Sequence, residues 1–188
     1  MRPLATALIT VSLMTGASGQ TTPTDSAAEM QRPLKLPVLR ANERCPITTG
    51  WTWRHPDYIF GGIDWFGDGP VYVTFAWGRG ERASFSLTPI PLVAGMRRAK
   101  TPWAAEPSYS GPVVIRGRSL VGDDRPLFFT QGMDETPVEQ LHVHAPNRAP
   151  YPGAYSWWPT SMFIPGPGCY GIQIDTTQTT QVVVFEGL

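Results

Sequence analysis

Near the C-terminal end, GCYGIQID at residues 168–175 sets Tyr170, Ile172 and Ile174 in alternation with Gly171, Gln173 and Asp175. A period of two puts the first set on one side of a strand and the second on the other, so this segment predicts a strand with one apolar face. The polar run TTQTTQ follows, and then VVVF at 182–185, apolar without alternation. Such a strand must be covered on both faces, which places the hairpin formed by 163–175 and the terminal VVVFEGL inside a sheet-on-sheet core. A second hairpin is predicted from VYVTFA at 71–76 and RASFSL at 82–87, with WGRGE between them as a glycine-containing turn. PVVIR at 112–116, LFFT at 127–130 and TSMFI at 160–164 read as further strands. One local helix signal interrupts them. In TPVE at 136–139, Thr136 would cap, Pro137 would take the first turn and Glu139 would complete a capping box.

Short strands separated by turns, without an amphipathic helical stretch of ordinary length, predict an all-β fold built as an antiparallel β-sandwich. The 19 Gly and 20 Pro fall between the strands and mark Pro/Gly-rich loops. Residues 1–19 differ from the rest: Arg2, an apolar stretch from Leu4 to Met14 and the small residues Gly16, Ala17, Ser18 and Gly19 form a signal peptide. That stretch is shorter than the roughly 20 residues a membrane-spanning helix needs. The mature chain is expected to start near Gln20, without a membrane anchor, as a secreted or periplasmic protein. Residues 20–43 are polar and small and then broken by Pro33 and Pro37, with no sustained period. They predict a flexible tether into one domain, residues 44–188.

Fifteen basic and fifteen acidic residues balance, and the clusters RGER at 79–82 and RRAK at 97–100 are short. They read as solvated loop ends, since a footprint for nucleic acid or anionic lipid needs a denser stripe. Cys45 and Cys169 in an exported chain predict a disulfide. Because Cys169 alternates with Tyr170, Ile172 and Ile174, the bridge is expected outside the sandwich core. A reactive thiol is the alternative, and it would need a histidine brought to it by the fold.

YSGPVVIRGRSLVGD at 109–123 and SWWPTSMFIPGPGCYGIQI at 156–174 carry a resemblance. They are similar to a group of uncharacterised exported bacterial proteins and lipoproteins, which end in an aromatic-Pro segment leading to a Pro-Gly-Cys-(Trp or Tyr) strand. Cys45-Pro46 matches an early Cys-Pro of that group. The resemblance implies an immunoglobulin-like β-sandwich and brings no established activity or functional residue with it. This chain lacks the lipid-accepting cysteine of the lipoprotein members.

No G-x-S-x-G, HExxH or phosphate-binding glycine loop occurs in the sequence, and the acidic pairs Asp64 with Asp68 and Asp134 with Glu135 are ordinary spacings. No catalytic residue and no cofactor is assigned. His142 and His144 in QLHVH would share one face of a strand, where His55, Met133 or Asp134 could complete a metal set. If Leu141 and Val143 face the core, both histidines simply face solvent; if residues 136–141 are helical, the two do not share a face. Aromatic residues offer the binding candidates: Trp51, Trp53, Tyr58, Phe60, Trp65 and Phe66, then Tyr151, Tyr155, Trp157 and Trp158. Such rings stack on sugars or grip peptides when exposed, and fill the core when they are not. The sequence therefore predicts a non-catalytic exported structural or interaction module with a protein or glycan partner outside the cytoplasm. A small carbohydrate-binding module using Trp51, Trp53, Trp65, Tyr155, Trp157 and Trp158 is the alternative, and a metal-binding or weakly hydrolytic domain comes third.

Overall fold

In the computed structural model the described residues are 30, 32–53, 63–75, 82–122, 124–131, 136–144 and 155–188. Their strands, in chain order, are β1 (Trp51–Trp53), β2 (Ile63–Trp65), β3 (Val71–Val73), β4 (Ser84–Phe85), β5 (Leu92–Val93) and β6 (Met96–Ala105). After these come β7 (Pro112–Ser119), β8 (Phe128–Thr130), β9 (Gln140–His144), β10 (Ser156–Ile164), β11 (Gly168–Thr176) and β12 (Thr180–Gly187). The first sheet runs β3-β6-β10-β8 with β5 added to β6, the second runs β4-β12-β11-β7-β9, and β1 and β2 form a separate ribbon. All pairings are antiparallel except β12 with β4. The all-β sandwich expected from the strand pattern is present, and the C-terminal hairpin pairs in one register from Gly168↔Gly187 to Asp175↔Thr180.

Trp103, Phe129, Met162 and Ile164 of the first sheet pack in one cluster with Ile115, Ile172, Ile174 and Phe185 of the second. The largest ring among these is also polar at one atom. Trp103 Nε1 donates to Thr160 Oγ1 at 2.8 Å, and that hydroxyl donates on to the Thr101 carbonyl at 2.8 Å, so the buried indole carries no unpaired donor.

Double coverage of β12 is also present. Val183 and Phe185 join the main core, whereas Val182 and Val184 lie against Leu34, Leu36, Leu39, Leu120 and Cys169 on the outer side of the second sheet. Leu34, Leu36 and Leu39 come from the stretch expected to be a tether. Over its described part, residue 30 and residues 32–43, that stretch is instead a strap laid across the sheet. Two leucines buried to within 8% exposure outweigh its broken periodicity. Gly171 makes the approach possible, since a Cβ there would stand 2.9 Å from a methyl of Leu120 and 3.1 Å from one of Leu36. The Cys45–Cys169 disulfide ties the end of the strap to β11 on that same outer side, where the alternation placed it.

Three further features differ from the sequence reading. Over their described residues, 71–75 and 82–87, the two segments do not pair with each other: β3 joins β6 in one sheet, and β4 runs parallel to β12 in the other. Alternation marks which side of a strand is apolar and leaves its partner open. Thr136–Glu139 is not helical; Val138 exchanges both backbone hydrogen bonds with Phe129, at 2.8 and 2.9 Å. Strand β6, the longest, escaped the pattern because Arg97, Arg98, Lys100 and Pro102 interrupt it. Its inward set is Ala99, Thr101, Trp103 and Ala105. Pro102 lies directly opposite Pro159 of β10. The Pro102 carbonyl accepts from the Thr74 amide at 3.0 Å, so its backbone groups point away from β10, and the missing N–H removes nothing from the β6–β10 ladder.

Candidate functional site

The outer side of the first sheet brings together Trp65, Tyr72, Tyr155 and Trp157. On β10 the inward set is Trp158, Thr160, Met162 and Ile164, which leaves Trp157 and Pro159 outward. Trp157 is 41% exposed and stands opposite Ala104 of β6, while Ala104 also stands opposite Tyr72 of β3. A small side chain between two large ones forms a floor, and Ala104 is accordingly buried. Trp65, at the end of the β1–β2 ribbon, closes over this floor with Tyr72 and the half-buried Tyr155. The Tyr72 and Tyr155 ring centroids are 6.2 Å apart with planes tilted by 55°, in the range of favourable aromatic pairs.

One polar group anchors the cluster. Tyr72 Oη donates to Glu106 Oε1 at 2.5 Å, and Glu106 is held in turn by its own amide, which donates to the Pro70 carbonyl at 2.9 Å. Burial, then the bond to the Glu106 carboxylate, pushes the Tyr72 phenol well above its ordinary range. Burial and the Glu106 charge push Tyr155 up as well. Both phenols therefore keep their protons at neutral pH, in a cluster where Trp65 and Tyr72 are buried and Tyr155 is half-buried.

Charged chemistry lies on the other sheet and has a different role. Asp175 is fully buried and accepts from Arg116 Nη2 at 2.6 Å, from Thr180 Oγ1 at 2.8 Å and from Gln173 Nε2 at 3.0 Å. Each of these donors also binds the strap or its side chains. Arg116 Nη2 donates to the Arg32 carbonyl at 2.6 Å, Gln173 Nε2 to the Pro33 carbonyl at 3.1 Å, and Arg32 Nη1 to Thr180 Oγ1 at 2.6 Å. The Lys35 amide donates to Gln173 Oε1 at 2.6 Å. A buried carboxylate with this many donors is satisfied, and here it fixes the strap to β11 and β12.

Of the aromatic binding candidates whose side chains are described, Trp158 is in the core, Trp65 is buried and Tyr155 half-buried in the outer cluster, and Trp157 is exposed. Trp51 and Trp53 pair through their backbones with Trp65 and Ile63. Phe66 is a core residue. Tyr58, Phe60 and Tyr151 lie outside the described residues, as do His55, Met133, Asp134 and Glu135. His142 is exposed on β9 between buried Leu141 and Val143, and His144 follows two positions on. Among the described residues no group of three or more His, Cys, Asp or Glu could hold a metal ion. Sequence reasoning missed Tyr72, Glu106, Arg116, Gln173 and Asp175. Alternation marks Gln173 and Asp175 only as the polar side of β11, and it is the strap that covers them. No protein-family model, curated protein or solved structure matches the chain.

Proposed function

We propose that this chain is a non-catalytic exported interaction module, of the immunoglobulin-like kind its resemblance implies, that meets its partner through the outer side of the first sheet. One observation carries the reading: Trp157, large and apolar, is presented to solvent near one end of the first sheet, with Pro159 beside it and the Tyr72–Tyr155–Trp65 cluster next to it. A ring held by strand pairing loses little freedom on binding, which is how aromatic side chains come to dominate recognition surfaces. The disulfide supports work in an oxidising compartment, as does the signal-like stretch at residues 1–19.

A glycan is the second reading, favoured by polar groups and rings together: the half-buried Tyr155 and Glu106 lie at the same end of the first sheet as the exposed Trp157. Sugars are bound by that combination of stacking and hydrogen bonding. Trp157→Ala decides the role of the face. Against a panel of immobilised soluble polysaccharides and a cross-linking capture of exported proteins, the parent chain should retain a partner that the variant loses at least tenfold. Retention by both chains alike would remove this face from the function. Capture from the polysaccharide panel would select the glycan reading over the protein one.

A further inference from the structure

At the other end of the first sheet, β5 and β6 form a hairpin whose tip is apolar and uncovered. Leu92 is 60% exposed and Val93 is 39% exposed. Pro91, Leu92, Val93, Ala94, Gly95 and Met96 include no polar side chain. The turn is the two-residue kind that needs positive φ at both central positions, and they have it: Ala94 at 50° and Gly95 at 79°. Asn or Asp is the ordinary occupant of the first position, because its polar side chain eases the left-handed conformation. This chain places an apolar residue there at a conformational cost. The loop 165–167, Pro-Gly-Pro, leaves β10 at the same end, since Ile164 pairs with Arg97.

Behind the tip stand the basic residues of RRAK, which are part of strand β6 and not loop ends. Leu92 pairs directly with Arg97, whose Nη1 donates to the Ile90 carbonyl at 2.7 Å. The Arg98 guanidinium lies 5.6 Å from the centre of the Phe163 ring, its Nε donates to Ser161 Oγ at 3.1 Å, and Lys100 is exposed. No Asp or Glu occurs in any of the five strands of this sheet, nor between Glu81 and Glu106 or between Glu139 and Asp175 in the chain.

We propose that the β5–β6 hairpin is a docking tip for an anionic phospholipid surface, with Leu92, Val93, Ala94 and Met96 entering the interface and Arg97, Arg98 and Lys100 meeting the phosphates. The spacing fits. At about 3.3 Å per strand residue, Arg97 and Arg98 sit roughly 3 and 7 Å behind Met96, within the headgroup layer of about 5–7 Å on each side of the hydrocarbon. Lys100, about 13 Å behind Met96, reaches the adjoining layer where the surface potential still acts. A fluid lipid surface also suits a tip that exposes apolar groups with no side-chain hydrogen-bonding pattern, which a protein groove would need for orientation. The aromatic cluster lies at the opposite end of β6, so docking would hold that face clear of the membrane.

Co-sedimentation with vesicles tests this, using the chain recovered from the exported fraction. Equimolar phosphatidylglycerol and phosphatidylcholine vesicles should carry the protein down, pure phosphatidylcholine vesicles at least tenfold less, and added sodium chloride should weaken the binding. Leu92→Ser with Val93→Ser should reduce it about tenfold or more. Lys100→Gln, at an exposed position with no structural partner to lose among the described bonds, should reduce it about fivefold and flatten the salt dependence. Trp157→Ala should leave vesicle binding unchanged, which keeps this test separate from that of the aromatic face. Unaltered melting temperatures would show that each variant is folded. Failure of the parent to sediment with the mixed vesicles, or sedimentation of the apolar double variant like the parent, overturns the proposal, and equal binding to both vesicle types overturns its electrostatic half.

Discussion

Tyr72 shows how one residue can belong to a strand by backbone and to a surface by side chain. Val71 and Val73 on either side of it enter the main core, and its own ring turns outward to Trp65, Ala104 and Tyr155. Its proton is held by burial and by Glu106, so its folded-state pKa lies above the ordinary value of about 10. The sign follows directly. The neutral phenol is the form that folding favours, so its contribution is fully present below about pH 10 and is lost as rising pH ionises the unfolded chain first. Melting temperatures taken between about pH 9 and about pH 11 should therefore fall with pH in the parent and fall less steeply in Tyr72→Phe, Tyr155 leaving a residual slope. Equal slopes in the two chains would mean that the Tyr72–Glu106 bond does not hold the proton in solution.

At the scale of elements, the parts legible in the sequence were those whose neighbours are close in the chain. The C-terminal hairpin, its doubly apolar second strand and the outward Cys169 followed from alternation alone. Pairings fixed by distant residues did not. Whether β3 meets β4 or β6 depends on Ala105, Ala104 and Trp103, some thirty residues away, and whether residues 32–43 are a tether or a strap depends on the bare surface that Gly171 leaves on β11. The candidate site divides the same way, since the outward placement of Trp157 beside the inward Trp158 is an alternation, whereas Glu106 beneath Tyr72 is a meeting of two strands' ends. The strap gives the disulfide its work. Closing a loop between residues 124 apart in sequence, the bridge is worth up to about 5 kcal/mol in the chain-entropy model. Cys45→Ser with Cys169→Ser should lower the urea midpoint by several kcal/mol's worth while the Lys35 amide, held by Gln173, keeps its protection from hydrogen exchange and the Leu39 and Thr48 amides lose some of theirs. An unchanged midpoint would show that the ion-pair network holds the strap without help.

For the whole molecule, the disulfide, the strap and the first nineteen residues make one argument about where folding finishes. The bridge joins the entry of the domain to its penultimate strand, so it forms after β11 has been made and has met Cys45. Disulfides of this kind persist in oxidising compartments, and the stretch from Leu4 to Met14 followed by Gly16, Ala17, Ser18 and Gly19 has the composition of a segment that directs a chain to one. At the start of the described strap Met30 is buried and the Arg32 carbonyl is bound by Arg116. The exported fraction of an expressing cell should accordingly contain a chain beginning near Gln20, resistant to thiol alkylation until it is reduced. N-terminal sequencing and alkylation on the same preparation check both halves at once. A folded chain still beginning at Met1, with Cys45 and Cys169 open to alkylation, would place the protein in a reducing compartment and remove the ground for an extracellular partner.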